Sequence, residues 1–477
     1  MSRRTEARRP AALPFPPFWA SMTPSGEVPS ASAAPRAFPA DTGAGAAQVD
    51  PRAAEGAPEI AAVGTSDDMR FPFWRRNMLA LLFANFVLTS GFASASPYLP
   101  LILREQGFAG NLETWVGLTV GGFFIVSFFF TPIWGSVADH FGRKSMVLRA
   151  GLGMGAIYLL LPWAPHPGLF IGLYLVMGMF NGFVPSSLAL AATNTPVRHM
   201  GKALSWIQAG ALLGNTFGPA VGGLIAVMLP RYRDLFLVSG GCILAAGLVA
   251  LVFARERKET PKGRFEPHLL RDLATLARIS RMPMLYALNF LVSVSFWGSI
   301  PVVSVYTLEL LHGTPGAQGK DEAFWMGAVA MAIAIASALA LPLWGRVLDR
   351  LEVKRVLAIA LAAGALGGIP TVLAQNPLQL VFARLTFGLL AAGAMPAMVT
   401  VLRSLAPAGM EARAMAIGTA FGMLGMGSGP LLGGFIGPVF GLRAYFAVNV
   451  LVLALAFAAW SRWGLRESAA QPAVSGA

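Results

Sequence analysis

The stretch WGSVADHFGRKSMVL, residues 134–148, joins two apolar runs through a short polar connection. The runs cover residues 114–137 and 146–165, and each is long enough for an α-helix to cross about 30 Å of hydrocarbon, which takes roughly 20 residues. In lipid the backbone has to satisfy its own hydrogen bonds, and a helix does so within one segment. The stretch therefore predicts two membrane helices joined by a tight turn, for which Gly142 supplies the backbone freedom.

The same alternation of apolar and polar segments continues along the chain. Apolar residues make up 55% of the sequence, charged residues only 12%, and the mean hydropathy is +0.62. A soluble domain carries about 25% charged residues, so much of this surface is expected to face lipid. We predict an all-α membrane protein with twelve transmembrane helices at residues 77–103, 114–137, 146–165, 168–192, 203–229, 234–254, 284–311, 323–347, 356–374, 377–402, 414–438 and 443–461.

Five segments follow from this pattern. They are a disordered N-terminal extension (1–73), a six-helix bundle (74–254), a cytoplasmic linker (255–283), a second six-helix bundle (284–464) and a C-terminal tail (465–477). The extension is rich in Ala, Pro, Ser and Gly and has no apolar face to bury, which is typical of disorder. Translation from Met1 and translation from Met69 both stay open. Within the linker, RDLATLARI at 271–279 is compatible with a short amphipathic helix on the membrane surface.

Basic residues predict the orientation. If both termini are cytoplasmic, the inner segments from residue 75 onward hold 22 Lys and Arg residues and the outer loops hold five. This bias follows the positive-inside rule and predicts a multi-pass protein of the cell inner (plasma) membrane. The net charge of +13 therefore indicates topology and contact with membrane lipid, and no nucleic-acid partner is expected.

The two bundles repeat one another in sequence. A Trp-Gly pair with a following Asp, two single prolines and a Gly-Pro pair with a following Gly-Gly return in the same order at offsets of 210 or 211 residues. The pairs are Trp134 with Trp344, Asp139 with Asp349, Pro185 with Pro396, Pro196 with Pro407, and Gly218 with Gly429. Parallel six-helix repeats imply a two-fold axis along the membrane normal and a substrate site between the halves.

Several of these motifs resemble a known family. Residues 134–148 resemble the G-x-x-x-D-x-x-G-R-K loop motif of the major facilitator superfamily, and GNTFGPAVGG at 214–223 resembles the helix-5 antiporter motif of its drug:proton antiporters. WRRN (74–77), GRKSMVLRAGLGMG (142–155) and GFVPSSLALAATNTP (182–196) are similar to its multidrug-efflux branch. The resemblance implies the major facilitator fold in a monomer, with proton-driven export of a small amphipathic organic compound and hence multidrug resistance.

The resemblance also suggests roles for two sets of residues. The conformational-switch motif would be Gly135, Asp139, Gly142, Arg143 and Lys144. Asp139 would meet the start of helix 11 and latch the halves while the site faces outward, and Arg143 and Lys144 would anchor the loop to anionic lipid or serve topology alone. The antiporter motif would be Gly214, Gly218, Pro219, Gly222 and Gly223, which would control leak and direction, or simply permit tight helix packing.

Polar and aromatic residues at mid-membrane depth are candidates for the substrate cavity. They are Asn85, Asn181, Gln208, Asn215, Asn289, Phe92, Trp297, Tyr306 and Arg384. No Asp or Glu lies deep in a predicted helix; Asn85 stands where many such antiporters carry a carboxylate, and Tyr174 where they often carry an arginine. Arg384 is the deep charge, and an arginine at that depth is expected to face a cavity or a partner. Arg149 is expected to pair with Asp139 or lipid.

Other classes of protein are disfavoured. The single cysteine and five scattered histidines form no metal-ligand pattern, and no G-x-x-x-x-G-K-[ST] occurs, so neither a metal, a cofactor nor nucleotide-driven transport is expected. The chain is not expected to be an enzyme, because a membrane-embedded enzyme would need a paired acid and base or a metal site. Export of an endogenous metabolite, such as a siderophore, stays open as an alternative to drug export.

Overall fold

The structure, a computed structural model, describes residues 71–108, 110–257, 281–312, 320–407 and 410–464, and its secondary structure over these ranges is helical. Twelve helices of the described ranges are long and apolar enough to cross a membrane, which confirms the predicted number. They are α1 (Trp74–Glu105), α2 (Leu112–Phe141), α3 (Arg143–Trp163), α4 (Pro167–Thr193), α5 (Val197–Met228), α6 (Tyr232–Phe253), α7 (Met282–His312), α8 (Lys320–Arg350), α9 (Val353–Leu373), α10 (Pro377–Leu405), α11 (Glu411–Phe440) and α12 (Leu442–Arg462). Residues 1–70 of the predicted N-terminal extension, the predicted helix at 271–279 and the predicted tail at 465–477 lie outside the described residues.

The start of α5 differs most from the prediction. The helix begins at Val197, directly after Pro196, whereas the apolar run begins at residue 203. Its first turns carry Arg198 and Lys202, so hydropathy does not mark them, although the helix continues beyond the apolar core. A membrane helix can extend into water because its backbone bonds do not depend on the solvent.

Four helices are interrupted, three of them near their middle. A 3₁₀ turn at Ser96–Tyr98 interrupts α1, and short breaks at 180–182, 297–298 and 392–393 interrupt α4, α7 and α10. The breaks in α4 and α10 fall 211 residues apart, at Gly182 and Gly393. Gly182 has a φ of +117°, which favours glycine. Irregular backbone at membrane depth is tolerated where protein or a cavity surrounds it.

The two halves are built in the same way. In the first half α1 packs on α5, α2 on α4 and α3 on α6; in the second α7 packs on α11, α8 on α10 and α9 on α12. Two details match at an offset of 210. Trp134 Nε1 donates to Met179 O at 2.6 Å as Trp344 Nε1 donates to Leu389 O at 3.0 Å. The side chains of His166 and Asn376 cap α4 and α10. The sequence repeat is therefore a structural repeat.

The halves meet through α2 with α11 and α5 with α8. We call the face where α1 begins and α12 ends the terminal face, and the opposite one the far face. Near the far face contact is close: a Cβ atom at Gly117 would lie 2.5 Å from Pro430 O, and one at Gly223 would lie 3.9 Å from Gly327 Cα. Near the terminal face, Gly135 and Gly345 face open space among the described atoms. The halves thus close at the far face and part toward the terminal face.

Candidate functional site

A cavity of about 410 Å³ lies between the halves at mid-helix depth. Seven aromatic side chains line it: Phe92, Phe123, Phe124, Tyr174, Phe183, Phe296 and Trp297. Six small polar side chains are interspersed among them: Thr89, Ser96, Asn181, Asn215, Thr216 and Ser337. The described lining includes no Asp, Glu, Lys, Arg or His. Its chemistry is therefore apolar and aromatic, with a few neutral hydrogen-bonding groups.

The broken helices place the polar groups. Asn181 sits in the break of α4, where its Oδ1 accepts from Gly182 N at 2.8 Å and its Nδ2 lies 3.3 Å from Ser127 Oγ. On α5, Asn215 Nδ2 donates one of its two N–H bonds to Ala211 O at 3.2 Å, which leaves its second N–H and its Oδ1 for other partners. An amide carries two donors and an acceptor with two lone pairs, so both side chains keep capacity for a ligand.

The glycines of the predicted antiporter motif pack α5 against α1. A Cβ atom at Gly218 would lie 2.7 Å from Ser90 O, and Gly214 and Gly222 approach the backbone of Phe86 and Ser94 as closely. Such approaches are possible only without a side chain. Gly223 faces α8 instead and borders the hydroxyl of Tyr98. That hydroxyl donates to the carbonyl of Pro219, which lines the cavity.

The predicted cavity residues divide into two groups. Phe92, Asn181, Asn215 and Trp297 line the cavity. The others lie elsewhere: Asn85 is buried and donates to Leu81 O, Asn289 donates to Gly418 O, Tyr306 donates to Ala374 O, Gln208 is exposed, and Arg384 borders a separate, smaller cavity. Three of them thus satisfy backbone carbonyls, and the cavity departs from the predicted set at five positions.

The loop between α2 and α3 has a partner that the sequence did not suggest. Glu256 accepts from the backbone N–H groups of Arg143 at 2.6 Å and Lys144 at 2.9 Å, where the helix dipole favours a carboxylate. Gly142 before them has a φ of +87°. The side chains of Arg143 and Lys144 donate to Ala189 O and Leu251 O, so both cations also hold neighbouring helix ends. Asp139 lies in the last turn of α2, but its side chain is outside the described part.

Arg149 is not directed at lipid. Its Nη1 donates to Met179 O at 2.7 Å and its Nη2 to Asn181 O at 3.1 Å, and its guanidinium stacks 4.0 Å from the centroid of Trp134. The break in α4 leaves these carbonyls without helical hydrogen-bond partners, and the guanidinium of Arg149 takes the place of those partners.

An ion pair joins the halves at the far face. Arg104 of α1 binds Glu322 of α8, with 2.5 Å between Nη2 and Oε2 and 3.4 Å between Nη1 and Oε1. His312 Nε2 of α7 lies 3.3 Å from the same carboxylate. Glu322 is only 4% exposed, so the pair is partly removed from solvent. This geometry ties the two bundles together at the closed end of the cavity.

The family model of the Major Facilitator Superfamily matches residues 81–336 and 285–477. The chain belongs to this superfamily. Its members among curated proteins include multidrug resistance protein MdtG of Citrobacter koseri, 30% identical over 391 residues, which cover 81% of this chain and 95% of the relative. MdtG of Yersinia enterocolitica is 30% identical over 405 residues, covering 83% and 94%.

Solved structures share the superfamily fold. The nucleoside transporter NupG has a TM-score of 0.66 at 14% identity and covers 81% of this chain and 99% of its own. A D-xylose-proton symporter has a TM-score of 0.61 at 16% identity, covering 81% and 97%. These likenesses confirm the predicted fold class, and the MdtG relatives agree with the predicted efflux branch.

Superfamily motifs gave no signal for the far-face pair. Arg104 and Glu322 are 218 residues apart, and each looks like an ordinary charge at the end of an apolar run. The signal that the sequence does carry is depth, because Arg104 and Glu322 both lie within one turn of a far-face helix end. Sequence alone does not say that the two helix ends touch.

Proposed function

We propose that this protein is a secondary active transporter that exports small amphipathic organic compounds by antiport with protons. The observation that carries the proposal is the cavity between the halves, which is lined by seven aromatic rings and neutral polar groups. Ligand sites for organic molecules are concave and mostly apolar, with a few placed polar groups. Sugars need many hydrogen-bonding partners, and the described lining offers few.

The lining of the cavity also restricts the net charge of the substrates. An anion or a dianion would lose its hydration here without gaining a cation as partner, which is costly in an apolar site. A lipophilic monocation could instead lie over an aromatic face, worth about 2 kcal/mol when desolvated. Trp297 and Phe92 are suited to this because both rings border the cavity from opposite halves. The substrates are neutral or singly cationic.

Alternating access would follow from the two closures. The far face is held by Arg104 with Glu322 and by the close α2–α11 contact, while the glycines near the terminal face have open space. The terminal face is cytoplasmic in the orientation that the basic residues predict, so this conformation faces inward. Rocking the bundles would close the terminal face, where the proposed latch of Asp139 on α11 would act.

Proton coupling carries a constraint of its own. Because the described lining has no ionisable group besides Tyr174, substrate and proton do not compete for one carboxylate in the cavity. The proton would act on a group elsewhere that biases the two conformations, and coupling would pass through the conformational change. Coupling of this kind is reciprocal: the factor by which protonation changes substrate affinity equals the factor by which bound substrate changes proton affinity.

The test is transport into everted vesicles from cells that lack other efflux pumps. A fluorescent lipophilic monocation should accumulate when a pH gradient is imposed, and uptake should stop when the gradient is collapsed. Uptake that persists without the gradient, or uptake of a sugar instead, would contradict the proposal.

Two variants link the activity to the cavity. Trp297→Ala should raise the KM for the cation more than it lowers the maximal rate, because a binding contact is lost. The matched control is Trp163→Ala, which removes an exposed indole remote from the cavity. Equal kinetic effects of the two substitutions would show that the cavity is not the binding site.

A further inference from the structure

A second, much smaller cavity lies inside the C-terminal bundle. Its volume is about 20 Å³, and residues of four helices line it: α7, α9, α10 and α12. The side chains that matter are Ser295, Thr371, Arg384 and Asn449. Arg384 lies two turns from the far-face start of α10, about 10 Å along the helix axis. The cavity is separate from the substrate cavity, whose lining includes none of these residues.

Arg384 is buried without a counter-charge. It is 2% exposed, and its Nε and Nη2 atoms have no hydrogen-bond partner. Among the described acidic residues none forms an ion pair with it. Phe387 lies one turn on, with its ring centroid 5.2 Å from Arg384 Cζ. An aromatic ring contacts only the face of a guanidinium group. The N–H groups at the edge of the guanidinium still need a hydrogen-bond acceptor.

The other walls of the cavity carry hydroxyl and amide groups that can donate hydrogen bonds. The hydroxyls of Ser295 and Thr371 have no partner, although such hydroxyls in helices commonly bond to the preceding turn. Asn449 Nδ2 also lacks a partner, as does the Tyr445 hydroxyl one turn earlier on α12. Four helices thus bring unpartnered N–H and O–H groups to the lining of one void, and the charge among the described lining residues is positive.

We infer that this cavity binds a monovalent anion of halide size, with Arg384 as its counter-charge. Buried polar groups in native proteins are nearly all paired, so several orphan donors around one void indicate a missing acceptor. A volume of about 20 Å³ holds a particle of about the size of a water molecule, so a small ion fits better than a larger organic anion. A water molecule would accept two bonds but would leave the arginine uncompensated in a medium of low dielectric. Chloride and bromide meet both requirements.

The bound anion would stabilise the C-terminal bundle rather than join in transport. It would neutralise Arg384 and connect α7, α9, α10 and α12 through one centre. The sequence repeat places Tyr174 at the position in α4 that corresponds to Arg384, at an offset of 210, and Tyr174 faces the substrate cavity. The anion site is therefore a feature of one half only.

The experiment uses the purified full chain in detergent and compares chloride, bromide and gluconate at equal ionic strength. Chloride and bromide should raise the melting temperature by about 2 °C or more once their concentration exceeds the dissociation constant, and the rise should saturate. Gluconate should not raise the melting temperature, because it is too large for the cavity. Crystals grown in bromide should show an anomalous peak at Arg384. No halide-specific shift, or a bromide-soaked structure without that peak, would overturn the proposal.

Three variants sharpen the test. Arg384→Met should lose the halide shift. Asn449→Asp should put a carboxylate in the same cavity, so that the protein is more stable than wild type without halide and gains nothing when halide is added. Arg443→Gln is the matched control, because Arg443 already donates to Ala374 O and should keep the wild-type shift. If Arg384→Met does not fold, a halide shift that survives in Asn449→Asp would refute the site by itself.

Discussion

Replacing Glu322 by Gln should shift the transporter toward a conformation open at the far face. The substitution keeps the size of the side chain but removes the charge that binds Arg104 and faces His312. Hydrogen bonds to charged groups contribute about 1.5–3 kcal/mol each. Because Arg104 is 44% exposed, solvent screens the pair, and we take about 1.5–2 kcal/mol. Opening the far face would separate Arg104 from Glu322, so loss of the pair should move the equilibrium about 10- to 30-fold.

Distances between spin labels measure this shift directly. In a Cys242→Ala background, Met228→Cys and Phe440→Cys place labels at the far-face ends of α5 and α11, in opposite halves; the two native side chains are 81% and 75% exposed. Phe141→Cys and Leu351→Cys form the pair at the terminal face. In Glu322→Gln the far-face distances should gain a long component, and the terminal-face distances a short one.

A local ion pair on the same face supplies the control. Arg231 and Asp234 lie 3.3 Å apart within the first half, so Asp234→Asn changes the surface charge equally without affecting contact between the halves. The label distances in that variant should match those of the unmodified protein. Far-face distances that stay unchanged in Glu322→Gln would show that the ion pair does not hold the closure.

Two further predictions concern the terminal face. Gly135→Leu should fold normally, because an added side chain meets open space in this conformation, but should block closure and reduce transport to background; Gly172→Leu, also in open space but on α4, should transport normally, and equal activity of the two variants would contradict closure at Gly135. Asp139→Ala should reach the membrane at wild-type levels, as measured by quantitative blotting, and should lose vesicle transport. Retained transport by that variant would refute the latch.

The helical bundle was predictable because the requirement that a helix cross the membrane produces a recognisable pattern of apolar segments in the sequence. Each span needs about 20 apolar residues, and duplication preserves landmarks such as Trp134 and Trp344 at a fixed offset. The indole–carbonyl bonds of both tryptophans show that the offset reflects equivalent packing. Hydropathy fails only where a helix leaves the hydrocarbon, as at the start of α5.

The site was less predictable because the sequence indicates how deep a residue lies in the membrane, but not towards which side of its helix the side chain is directed. Asn289 and Tyr306 lie on the same helix as Trp297, yet only Trp297 lines the cavity. The break at 297–298 changes the face that α7 presents, so a continuous helical wheel misplaces the residues on either side. The sequence marks Arg384 as exceptional for its depth, but a deep charge predicts a cavity or a partner without specifying which cavity. Contacts between the halves, such as Arg104 with Glu322, depend on the conformation and leave no local pattern.

Of the interrupted helices, α4 and α10 are stabilised unequally at their breaks. At the break of α4, Met179 O receives both the indole of Trp134 and the guanidinium of Arg149, so three helices are fastened at one atom. The corresponding carbonyl of α10, Leu389 O, receives the indole of Trp344, and the position that matches Arg149 is Ile359, which offers no donor. When the molecule changes shape, the first bundle should therefore swing as a stiff block, whereas bending should concentrate at Gly393 in the second.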